Sequence, residues 1–194
     1  MSAEQLAALT PEQAAAIAAL GGFNNLSNAQ LLGLPPAILA ILPASVVDNL
    51  TAAQVASLSQ EQLAALTPAQ AQASGAAGGF GGLSNPQIQA NPNIMAVVKS
   101  LALGAIDNWA ADSSNPANAP TVQDYVNAGV TGVTAANLGA VNNAVAAAAA
   151  GQADSTAEIQ GLAAPAIVAA AEAQAAALGA IDNWAADSSN PANA

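Results

Sequence analysis

Two aspartates five residues apart, Asp107 and Asp112, sit in the stretch "DNWAADSSN" and recur as Asp182 and Asp187. Paired carboxylates serve general acid–base chemistry and, with Asn and Ser oxygens beside them, the binding of hard cations. Their spacing argues against both uses. Five helical steps of about 100° turn a side chain about 140° from its starting face, so the two acids diverge on one helix. The stretch also lacks the D-x-D-x-D-G pattern and closing Glu of a calcium loop. The paired glycines before Phe23 and Phe80 lack the "GK[ST]" ending and the preceding strand of a phosphate loop. Aromatic rings remain: Trp109 and Tyr125 are the candidate ligand contacts, offering flat faces on which a sugar or a partner protein can stack. The competing role for one aromatic per module is to anchor an alanine-rich core. Burial separates the two roles, since an adhesive surface needs both rings exposed together. The chain has no His and no Cys, so the commonest proton shuttle and the thiol nucleophile are missing. No catalytic, cofactor or metal site is expected, and the chain reads as non-enzymatic.

Composition narrows the partners. Twelve acids face one base, Lys99, for a net charge of -11 over 194 residues. Phosphate backbones and anionic membrane surfaces are held by clustered Lys and Arg, so no nucleic-acid partner is expected. Hydrophobic residues make up 54% of the chain, but 57 of them are Ala and only five residues are aromatic. The core must therefore be thin and close-packed. The most apolar run, "LLGLPPAILAILPASVV" at residues 31–47, contains Pro35, Pro36 and Pro43. Prolines there would break the hydrogen-bond ladder that a lipid-exposed helix requires, so no membrane insertion is expected.

The elements that must position these side chains fall into two patterns. From Leu26, leucine recurs every eight residues at Leu34, Leu42, Leu50, Leu58 and Leu66. A straight helix cannot keep an eight-residue period on one face, because eight steps overshoot two turns by about 80°. "LTPEQAAA", residues 9–16, supplies the alternative: Thr10 as N-cap, Pro11 in the first helical position and Gln13 in the third form a capping box. Each octad is then a short helix, a corner and a new cap, with corner leucines building the core of a solenoid. Residues 1–33 align without a gap on residues 58–90, an offset of 57, and the "GG" pairs shift the register from eight to nine.

From residue 102 the pattern changes. "ALGAIDNWAADSSNPANA" at residues 102–119 returns letter for letter at residues 177–194. Ile94, Val98, Leu101, Ala105 and Trp109 share one helical face. Thr121 caps a helix ended by Gly129, Thr134 caps one closed by Gly151, and Ser155 with Glu158 opens an alanine-rich helix broken or kinked at Pro165. The expected fold is all-α and elongated. It comprises an octad solenoid over residues 1–90, a three-helix repeat module over residues 91–176, and the start of a second module at residues 177–194. The chain reads as a piece of a longer array.

Two resemblances attach to these motifs. "LTPEQAAAIAALGG" (residues 9–22) resembles the opening of the DNA-reading repeats of TAL effectors, L-T-P-E-Q-V-V-A-I-A followed by two variable residues and G-G-K-Q. The sequence departs from that family where it matters for DNA: Phe23 and Asn24 replace the Lys and Gln, the 57-residue offset is longer than the family repeat, and the net charge has the wrong sign. "PTVQDYVNAGVTGVTAANLGAVNNAV" followed by "STAEIQ" is similar to helical repeats found in tandem in very large, adhesin-like surface proteins of Gram-negative bacteria. The octad run "LTAAQVASLSQEQLAALT" resembles low-complexity stretches of the same proteins. That resemblance implies a stalk or spacer at the cell surface, part of a longer secreted chain, with neighbouring repeats of the same chain as partners. Its alternative is an adhesive module for a surface glycan or protein. Such repeats carry no agreed catalytic or binding residues, so none is transferred.

Overall fold

An octad is too short to hold a helix by propensity, so its ends must do the work. The computed structural model describes residues 2–23, 25–149 and 151–186, which form helices joined by turns and short irregular segments, with no strand among them. Asn24 and the last eight residues, Asp187 among them, lie outside that description. The chain forms two compact units, Met1–Leu101 and Ala102–Ala194.

The first unit contains helices α1 (Ala3–Ala7), α2 (Pro11–Ala19), α3 (Asn28–Leu32), α4 (Pro36–Leu39), α5 (Ala44–Val47), α6 (Ala52–Ala56), α7 (Gln60–Ala64), α8 (Pro68–Ala76) and α9 (Asn85–Gln89), then the first half of α10 (Pro92–Ala111). Capping boxes open α1, α2, α3, α6, α7 and α8: the Ser or Thr oxygen accepts the N–H of the third helical residue. That residue is always Gln, and its Oε1 accepts the cap's own N–H at 2.7–2.9 Å. Each cap contributes about 1 kcal/mol.

The corners are equally regular. The N–H of each octad leucine donates to the carbonyl three residues earlier: Leu34 to Leu31, Leu42 to Leu39, Leu50 to Val47, Leu58 to Val55 and Leu66 to Leu63, all at 3.1–3.2 Å. The turn sets the first and sixth residues of successive octads side by side, and both sets are buried. The eight-residue period therefore stays in the core because every corner resets the helix direction. At the two longer steps, Gly21 (φ 71) and Gly78 (φ 77) adopt the left-handed conformation that ends a helix. The chain then returns to the same corner with a buried Phe23 or Phe80 in place of the sixth residue.

Contacts distant in sequence follow one rule. Helix α4 packs on α7, and α5 on α8. Gln62 Nε2 donates to the carbonyls of Leu32 and Leu34, both at 2.8 Å. Gln70 Nε2 donates to those of Leu39 at 2.7 Å and Leu42 at 2.8 Å. Gln87 reaches the carbonyl of Ala56 in the same way. Asn91, which stands in a leucine position, donates to Leu63, Ala64 and Leu66. Gln62, Gln70 and Gln87 thus have two functions, one at the local cap and one joining octads about thirty residues apart.

Helices α4 and α5 are the exceptions that explain the rule. Their caps are Pro35 and Pro43, which make no side-chain cap bond. Proline has no N–H for a glutamine oxygen to accept. The third helical residues are instead Ile38 and Val46, both buried.

The second unit comprises the rest of α10, a 3-10 turn at Pro116–Asn118, α11 (Val122–Ala128), α12 (Leu138–Ala146) and α13 (Thr156–Ala186). Thr121 and Asp124 form the expected capping box of α11, and Gly129 (φ 83) ends it. Ser155 and Glu158 cap each other at the start of α13. Thr156 Oγ1 donates to the carbonyl of Ala128 and Gln160 Oε1 accepts the Thr131 N–H, which fastens α13 to the turn after α11.

Three sequence expectations need correction. The buried face of α10 runs Ile94, Val98, Ala102, Ile106 and Trp109, whereas Leu101 is exposed and Ala105 only half-buried. Successive steps of four turn by about 40° each, and the stripe divides between two clusters: Ile94 and Val98 lie in the first unit's core, Ala102, Ile106 and Trp109 in the second's. Helix α12 begins at Leu138, not after Thr134, because Asn137 Oδ1 takes the Thr134 N–H and its Nδ2 donates to Gly132, holding residues 134–137 in a turn. It ends at Ala146, before Gly151. Helix α13 is not broken at Pro165. The proline removes one ladder bond, and the alanine-rich flanks carry the helix past it.

Candidate functional site

The two aromatic candidates meet at one residue. Tyr125, on α11, is completely buried, and its hydroxyl donates to Asn142 Oδ1 at 2.7 Å. Trp109, on α10, is 8% exposed, and its indole N–H donates to the main-chain carbonyl of Asn142 at 3.0 Å. Asn142 Nδ2 completes the knot by donating to the carbonyl of Pro120 at 2.9 Å. Four segments are thereby fixed: α10, α11, α12 and the loop before α11. Burial, with the Asp124 carboxylate second, pushes the Tyr125 phenol well above the usual tyrosine range.

Sequence reasoning did not single out Asn142. Its signal is an Asn pair, Asn142 and Asn143, inside an otherwise apolar run, where a buried amide must find partners for both its oxygen and its nitrogen. Gln62, Gln70 and Asn91 were likewise unmarked beyond their place in the octad.

The two aspartates are not brought together. Asp112 Oδ1 accepts the Ser114 N–H at 3.0 Å in the turn after α10, and the Ser114 hydroxyl and N–H hold its carboxyl below the usual range. Asp107 lies on another face, where its charge acts on Asp154. A hydrogen bond with Glu158 and the charges of Glu158 and Asp107 raise Asp154, while the Ser155 hydroxyl lowers Glu158. Among the described residues, no group of three or more Asp, Glu, His or Cys gathers where a metal ion could sit. Asp182 lies on α13, and Asp187 lies outside the described residues.

An open cleft of about 570 Å³ lies beside Trp109, lined by Ala105, Asn108, Ala111, Asp112 and Asn118. By length and composition alone, Pro92–Ala111 and Thr156–Trp184 are apolar enough to cross a membrane. The proline-rich run at residues 31–47 instead forms the end of α3 and the short helices α4 and α5.

Compared with known proteins, the chain matches no family model, no curated protein and no solved structure.

Proposed function

We propose that this chain is a non-enzymatic structural segment of a large bacterial surface protein, a stalk or spacer built of repeats. In this reading the first unit is a solenoid, its octads wound so that glutamine amides join one turn to the next, and the whole is elongated. The observation that carries it is where the polar chemistry goes. The indole of Trp109, the phenol of Tyr125 and the amides of Asn142, Gln62 and Gln70 all terminate on groups inside their own unit. Side chains that elsewhere bind or catalyse hold these short helices together, as a mechanical element requires. Neighbouring repeats are its partners, and nucleic acid and membrane insertion have no part in it.

Small-angle scattering tests this reading. A compact particle of this length has a radius of gyration of about 16 Å. A spacer exceeds that clearly, and a value at the compact limit overturns it.

The cleft beside Trp109 favours a second reading, an adhesive module for a glycan or partner protein. Its Asn108, Asp112 and Asn118 side chains suit sugar hydroxyls. A saccharide that raises the melting temperature of the second unit, with the effect lost in Asp112→Ala, would select it.

A further inference from the structure

One eighteen-residue sequence stands in this chain in two environments. In its first copy, Ile106 is fully buried, Trp109 is bonded to Asn142 and Leu103 is half-buried. In the second copy, on α13, the corresponding Ile181 is 60% exposed, Trp184 57% and Leu178 55%. Large apolar side chains on one helical face are ordinarily covered. What covers the first copy is visible. Tyr125, Val141, Val145 and Ile159 share its buried cluster, and the Asn142 carbonyl receives its indole N–H.

Identical sequence makes an identical face. We propose that the face formed by Leu178, Ile181 and Trp184 is the docking surface for a second helical module carrying the pattern of residues 120–163. The occupant packs the counterparts of Tyr125, Val141, Val145 and Ile159 on it and offers an Asn carbonyl to the Trp184 indole. The inference rests on the repeat reading above and names the surface through which one module receives the next.

Two other occupants fit less well. In a second copy of this chain, residues 120–163 already cover that copy's own residues 102–110, and the tethered segment competes at far higher effective concentration. Lipid would meet Asp182, a carboxylate beside Ile181 on this helix, at a large cost in hydrocarbon.

The test uses the full chain and a longer one in which a copy of residues 120–176 follows residue 194. Both carry fluorotryptophan, and fluorine NMR reports the solvent exposure of each indole, with Trp184→Phe assigning the signals. In the original chain, Trp109 is expected to be shielded and Trp184 to show the full solvent isotope shift. In the extended chain Trp184 loses that shift. Continued exposure of Trp184 overturns the proposal.

A thermal readout guards against misfolding of the added segment. Ile181→Asp should leave the melting of the original chain unchanged and lower that of the extended chain; equal effects in both overturn the proposal. Shielding of Trp184 in the original chain that grows with protein concentration assigns the face to a second copy. Shielding by phosphatidylcholine–phosphatidylglycerol vesicles assigns it to lipid, and either result overturns the proposal. The scattering test of the spacer is independent, because the original chain can be elongated whether or not this face accepts a module.

Discussion

Gln70 and Leu42, 28 residues apart, are joined by a 2.8 Å hydrogen bond from the buried carboxamide nitrogen to the leucine's main-chain carbonyl. The same side chain's oxygen accepts the Thr67 N–H at 2.9 Å. One residue thereby closes a local cap and a distant contact, and the two functions can be separated by substitution.

Gln70→Glu keeps the acceptor and removes the donor, setting a carboxylate against the carbonyls of Leu39 and Leu42. The expected loss is about 3–5 kcal/mol, the range for an uncompensated buried charge. Gln13 forms the same local box on the exposed surface, so Gln13→Glu should be close to neutral. The sign of the pH dependence follows. Burial raises the folded-state pKa of the new carboxyl, so its penalty is absent below the unfolded value of about 4.3 and grows as pH rises above it. Chemical denaturation at acid and neutral pH measures both effects.

Proline caps and apolar third residues should be energetically coupled. Ile38→Gln alone buries an amide oxygen whose donor is missing, because residue 35 is proline, at a cost of about 1–3 kcal/mol. Pro35→Ser together with Ile38→Gln restores the box found in the neighbouring octads. A double-mutant cycle should show a favourable coupling of about 1 kcal/mol or more.

Tyr125 is the chain's sole tyrosine, so tyrosinate absorbance reads its ionisation alone. Its folded pKa is raised, so its contribution to stability is complete below the unfolded value of about 10 and is lost as pH rises from there toward the folded value. The absorbance should therefore appear together with unfolding of the second unit. Tyr125→Phe should flatten that alkaline loss. It also leaves Asn142 Oδ1 buried without a donor, costing about 1–3 kcal/mol at neutral pH.

The helices, the capping boxes and the leucine positions were legible because each is written in a few neighbouring residues. Thr121 with Asp124, and Ser155 with Glu158, announce their caps directly. The Asn142 knot was not legible, because it joins α10, α11 and α12 through atoms far apart in sequence, one of them a main-chain carbonyl that leaves no trace in residue type. The start of α12 was misplaced for a related reason. Thr134 and Asn137 compete for the same cap, and the local hydrogen bond of Asn137 to Gly132 decides it. The second function of Gln62 and Gln70 was hidden too, since the capping box already accounts for a glutamine there.

Octads that repeat one leucine position carry a translational ambiguity. Slid by eight residues, leucine still meets a leucine slot. Asn91 removes that freedom. It occupies a leucine slot, and its amide nitrogen satisfies the carbonyls of Leu63, Ala64 and Leu66, while its oxygen takes the Asn93 N–H at the head of α10. One octad earlier it would meet a different set of corners, and the carbonyls of Leu63, Ala64 and Leu66 would lose its amide. A single asparagine in place of leucine gives the octads a reference point, much as one buried polar residue fixes the alignment of a coiled coil.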